Sequence, residues 1–119
     1  MIVSASRRTD IPGFYSEWMI ERLKSGFALV RNPFNPLQVS KVILNPEAVD
    51  CFVFWTKDPQ KMLDKLNHFA DYCYYFQFTI TPYHGSVEPG LRNKREIIET
   101  FKKLSGKIGE SRVIWRYDP

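Results

Sequence analysis

DCFVFW, residues 50–55, is the stretch on which the fold turns. After its leading aspartate every residue is apolar. A strand that is apolar at consecutive positions, and not at alternate ones, is expected to be covered on both faces, as in a parallel sheet flanked by helices. Alternation would put Phe52 and Phe54 on one face and Val53 and Trp55 on the other. Immediately downstream, Asp58 is placed to cap a helix with Pro59 at its first position. That helix would bury Met62, Leu63, Leu66 and Phe69. A third apolar strand follows at residues 72–80 (YCYYFQFTI), then the loop TPYHGSVEPG at 81–90. A helix over 93–107 turns Ile97, Ile98, Phe101, Leu104 and Ile108 inward and ends at Gly109. RVIWR, 112–116, is the fourth core strand.

Upstream, MIVSAS (1–6) is a short apolar strand. The spacing predicts a helix over 14–24 with Tyr15, Trp18, Met19 and Leu23 on one face, bounded by Pro12-Gly13 and Gly26. Residues 27–30 are extended. RNPFNP (31–36) is a turn-rich loop, and QVSKVIL (38–44) alternates apolar and polar as the return arm of a hairpin. The order β-α-hairpin-β-α-β-α-β requires right-handed crossovers and hence a parallel sheet. The expected architecture is α/β: a parallel (β/α) half-barrel, partly TIM-barrel-like, with four core strands, three helices and a β-hairpin insertion. At 119 residues and 14.0 kDa the chain suits a single domain, residues 1–119. The sequence runs to Tyr117-Asp118-Pro119 directly after an apolar strand. That points to the N-terminal half of a larger barrel, or to an edge covered by a partner or by self-association.

Hydrophobic residues at 44% and charged residues at 25% exclude a disordered chain. No apolar run reaches the roughly 18 residues of a membrane span, and MIVSASRRTDIPG lacks the apolar stretch of a signal peptide. A cytoplasmic location is the resulting expectation. Seventeen Lys and Arg against thirteen Asp and Glu give +4 and a pI near 9.1, a balance that permits anionic ligands or nucleic acid and demands neither. Cys51 and Cys73 are read as two small buried hydrophobes, with no spacing that suggests a metal site on this chain. Gly-rich phosphate loops, HExxH and GxSxG are absent from the sequence.

Each apolar strand runs into a polar cluster at its carboxyl end: Ser6-Arg7-Arg8-Thr9-Asp10, Trp55-Thr56-Lys57-Asp58, Thr79 with Thr81 and Tyr83, and Arg116-Tyr117-Asp118. In parallel α/β folds these ends share one rim, where ligand-binding and catalytic groups gather. Arg7, Arg8, Lys57 and Arg116 would supply cationic donors. Trp55, Tyr83 and Tyr117 would supply flat faces, with Thr79 and Thr81 as hydroxyl partners. Asp10, Lys57 and Asp118 are the candidate catalytic groups, the two aspartates as bases or as carboxylates orienting the arginines. Such a rim suits a small anionic or aromatic ligand. His68 reads as a surface residue. His84, near the rim, reads as a loop residue with a proton-carrying role as the alternative. Phe34 would either cover the rim or pack on Trp18.

The blocks SASRRTDIP, VRNPFNP, FWTKDP, FQFTITPY and RVIWRYDP resemble, in order and over essentially the entire chain, a prokaryotic domain-of-unknown-function family related to radical S-adenosylmethionine enzymes. FWTKDP is also similar to the corresponding segment of spore photoproduct lyase-like proteins. The resemblance implies a full or partial (β/α) barrel with its site on the carboxyl rim. It further implies longer relatives whose C-terminal part carries a cysteine cluster, and therefore S-adenosylmethionine and an iron–sulfur cluster as their cofactors. Cys51 and Cys73 lie inside strands and do not match that cluster, so it transfers to no residue here. The resemblance fixes no substrate. An enzyme-type rim within a radical S-adenosylmethionine-like barrel, a non-catalytic nucleotide or nucleic-acid binding module, and an inactive fragment remain the alternatives.

Overall fold

The structure is a computed structural model that describes residues 1–5, 10–32, 34–80 and 93–117, without the side chains of Ile80 and Tyr117. Strand β1 is Ile2–Ala5. A short helix α1 (Ile11–Phe14) leads into α2 (Ser16–Ser25). β2 (Phe27–Arg31) and β3 (Val39–Ile43) form a hairpin, and β4 is Cys51–Thr56. A 3₁₀ helix, Gln60–Phe69, precedes β5 (Tyr74–Ile80). Helix α3 (Lys94–Ile108) and a 3₁₀ turn (Glu110–Arg112) lead to β6 (Val113–Tyr117).

β1, β4, β5 and β6 make a four-stranded sheet in that spatial order, parallel throughout, while β2 and β3 pair antiparallel in a sheet of their own. The hairpin is therefore an insertion, and the chain carries the expected mixed α/β architecture. Local chemistry accounts for the element ends. Asn93 caps α3 by accepting from Glu96 N at 2.9 Å. Gly26 closes α2 at φ 83°, a left-handed conformation that glycine adopts at no steric cost. Its carbonyl then accepts from Leu44 N at 2.8 Å, which ties the far arm of the hairpin to the helix end.

The registers pair Ala5 with Phe54, Phe54 with Phe76 and Phe76 with Val113, so these residues share one face. On that face Ala5, Phe52, Phe54, Tyr74, Phe76, Phe78 and Val113 join Met19 and Ile20 of α2, Met62 and Phe69 of the 3₁₀ helix, and Ile97 and Leu104 of α3 in one buried cluster. Phe69 stands edge-on to Phe52 and Phe54 at 5.6 and 5.2 Å between ring centroids. Phe101 does the same to Phe78 at 5.3 Å. The opposite face carries Ser4, Cys51, Val53, Trp55, Gln77, Thr79, Ile114 and Arg116. Of these only Val53 is buried, and it stands outside the cluster. The expectation that residues 50–55 are covered on both faces is thus corrected. Helices pack on one face, and the other, free of helices, corresponds to the inner side of a (β/α) half-barrel.

Three smaller expectations also change. Met19 and Leu23 of α2 face the core as expected, but Tyr15 and Trp18 are exposed and Ser16 and Ile20 take the remaining inward places. Ile98 lies on the outer side of α3, and buried Thr100 takes an inward place. Phe34 is 96% exposed, so it neither covers the rim nor packs on Trp18.

Among the described residues β1 pairs only with β4 and β6 only with β5, leaving two parallel edges with unpaired backbone groups. Ile2, Ile114 and Trp115 are exposed at those edges. Open edges of this kind invite strand addition. Raising the concentration of the chain is expected to shift its sedimentation from monomer toward larger species. A monomer at all accessible concentrations would show that the edges protect themselves.

Candidate functional site

Ser4, Trp55, Thr79 and Arg116 are each the penultimate residue of their strand, and all four lie on the helix-free face. Thr79 is level with Arg116, and Gln77 with Trp55. Trp55 donates its indole Nε1–H to Ser4 Oγ at 3.0 Å, reaching across to β1. From the other side, the Arg116 guanidinium lies over the Trp55 ring at 5.1 Å from the centroid, spanning β5. The indole is thereby pinned at its edge and capped on its face. Cation–π contacts at exposed sites contribute about 0.5–1 kcal/mol, enough to bias the orientation of an arginine without committing its hydrogen-bond donors. Arg116 is exposed, Trp55 and Thr79 are half-buried, and among the described residues Arg116 has no carboxylate partner.

Asp10 is engaged by two backbone amides. Its Oδ1 accepts from Gly13 N at 2.8 Å as the cap of α1, and its Oδ2 accepts from Lys57 N at 2.9 Å. Both oxygens are engaged by backbone amides, so Asp10 clips the segment after β1 to the segment after β4. The geometry gives it a bracing role at the rim. A Cβ at Gly13 would lie 2.9 Å from Asp10 Cγ, which explains glycine there. Lys57 is exposed and Asp58 half-buried beside it. Asp58 N donates to Thr56 Oγ1 at 3.1 Å, and Asp58 Oδ1 accepts from Gln60 N at 3.2 Å. The helix thus starts one residue later than expected, with Pro59 at the cap position and Asp58 one place before it.

Arg7, Arg8, Thr81, Tyr83, His84 and Asp118 lie outside the described residues, and of Tyr117 only the backbone is described. His68 is exposed on the 3₁₀ helix, as expected of a surface residue. Ser4 was not among the anticipated site residues. Its signal was present in the alternation of IVSA, but only the pairing of β1 with β4 connects it to Trp55. The cysteines are also corrected: Cys51 is half-buried and Cys73 exposed, at the amino ends of β4 and β5, opposite to the rim.

Among the described residues no group of three or more His, Cys, Asp or Glu side chains could hold a metal ion.

Together these features define a class: a parallel (β/α) half-barrel with helices on one side and an aromatic–arginine pair near the carboxyl ends of its strands on the other. The chain belongs to the domain-of-unknown-function family DUF1848, whose profile matches residues 2–119. No curated protein and no solved structure matches it. No helix among the described residues is long and apolar enough to cross a membrane.

Proposed function

We propose that the helix-free face binds a small anionic ligand carrying a flat ring, in a cytoplasmic protein related to radical S-adenosylmethionine enzymes. The single observation that carries the proposal is the Ser4–Trp55–Arg116 arrangement. It combines a fixed indole with a guanidinium whose fork can grip a carboxylate or phosphate, near the strand ends where parallel α/β folds place their ligands. The resemblance in sequence suggests S-adenosylmethionine, which offers both an adenine ring and a carboxylate. Thr79, level with Arg116, adds a hydroxyl for the same ligand.

Titration calorimetry with S-adenosylmethionine and with adenosine monophosphate tests this. Binding by the parent chain and a roughly tenfold or greater loss in Arg116→Lys are expected, because charge survives while the fork is lost. The melting temperature should not change, since Arg116 is exposed. Equal affinity in parent and variant, or no binding by either, overturns the proposal. Binding confined to oligonucleotides, with a steep dependence on salt, would instead assign the face to nucleic acid.

A further inference from the structure

The amino ends of β4 and β5 hold a feature that the ligand face does not use. Cys51 opens β4, and Cys73 directly precedes Tyr74 at the start of β5. The ladder pairs Phe52 with Tyr74, so the two cysteines occupy the next rung, and Phe52 N donates to Cys73 O at 2.9 Å. Both side chains fall on the helix-free face of the sheet, at neighbouring positions of adjacent strands. Cys51 Sγ also lies 3.5 Å from Phe52 O, while Cys73 is open to solvent. Burial first, and then the contact with Cys73, pushes the Cys51 thiol up to about 11, against the opposing influence of Arg112.

We propose that Cys51 and Cys73 close into a reversible intramolecular disulfide that joins β4 to β5 at the end of the sheet opposite the rim. Neighbouring strands lie about 4.8 Å apart, within the span of about 4.4–6.8 Å that a disulfide bridges between Cα atoms. Cys73 precedes the first residue of β5, so its backbone is less constrained than a residue inside the ladder. The exposed Cys73, as thiolate, attacks one sulfur of a low-molecular-weight disulfide such as glutathione disulfide and releases one glutathione thiolate. Cys51 then gives up its proton and attacks the Cys73 sulfur of the mixed disulfide, releasing the second. In balance, two cysteine thiols lose two electrons and two protons, and one glutathione disulfide becomes two glutathione thiols. The shielded Cys51 is the resolving partner, and the exposed Cys73 meets the oxidant.

Intact-mass analysis of the folded, full-length chain after incubation with glutathione disulfide tests the proposal. The parent is expected to end lighter by two hydrogens, as a monomer that takes up no alkylating reagent until it is reduced. Cys51→Ser should stop at a stable glutathione adduct on Cys73, and Cys73→Ser should react far more slowly than the parent. A parent that accumulates adducts on both cysteines, links into disulfide dimers or remains fully reduced overturns the inference. Both single variants retain the hydrophobic cluster, which contains neither cysteine, and circular dichroism verifies that they are folded.

Discussion

Phe54→Ala is expected to remove much of the stability of the fold. Phe54 is fully buried, in the middle of β4, and four aromatic rings surround it. Phe76 lies at 5.0 Å, Phe69 at 5.2 Å, Phe52 at 5.7 Å and Tyr74 at 6.4 Å between centroids. Truncating a buried phenylalanine costs about 3–5 kcal/mol, because the transfer energy is lost and the cavity collapses only partly. A domain of this size has about 5–15 kcal/mol to lose. The melting temperature should fall by about 10–20 °C. Trp55→Ala is the control. It sits one residue further on, faces away from the helices and is only half-buried, so a cost of about 1–2 kcal/mol is expected. Urea melts of the two variants decide the matter. Equal losses would mean that both faces of β4 are packed, and the one-sided core described above would be wrong.

Asp10→Ala carries the second large effect. One carboxylate serves two backbone amides that are 44 positions apart in the chain, Gly13 N and Lys57 N. Hydrogen bonds to a charged group contribute about 1.5–3 kcal/mol each, and the part-buried Gly13 amide left without an acceptor adds a penalty. The expected destabilisation is about 2–4 kcal/mol, with the greatest increase in amide exchange at Gly13 and Lys57. Asp10→Asn separates charge from geometry, since its carbonyl can still serve one of the two amides. It should recover about half of the loss. If Asp10→Ala melts with the parent, the carboxylate is no strut.

Much of the fold was legible because its signals are local. Asn93 and Gly109 bracket α3, and the apolar runs at β4, β5 and β6 could be nothing but strands. What covers the second face of β4 was not legible. Cys51, Val53 and Trp55 read as apolar whether helices pack on them or they line a helix-free inner side, and only the three-dimensional layering distinguishes the two. The start of α2 was placed two residues early, at Phe14, because Phe14 closes a separate capped turn, Ile11–Phe14, that runs almost directly into the helix. At the site, Trp55 and Arg116 were recognisable as strand-end residues. Asp10 was recognisable as polar, but its function depends on an amide donor 47 residues away, and no local pattern carries that information. Ser4 and the neighbouring cysteines were hidden for the same reason, since register decides them.

The hairpin contributes no strand to the parallel sheet, yet it alters how easily that sheet assembles. Phe52 and Tyr74 are 22 positions apart along the chain, whereas Ile2 and Cys51 are 49 apart. Closing the longer loop costs about 0.7 kcal/mol more in chain entropy. β2 and β3 lie within that loop and pair Phe27 with Ile43, which short-circuits the intervening residues before the ends must meet. The effective tether shrinks by about a third, which returns about half of the difference. The insertion thus acts as a kinetic shortcut, bringing the N-terminal strand with Ser4 to a sheet whose other neighbours are closer in sequence.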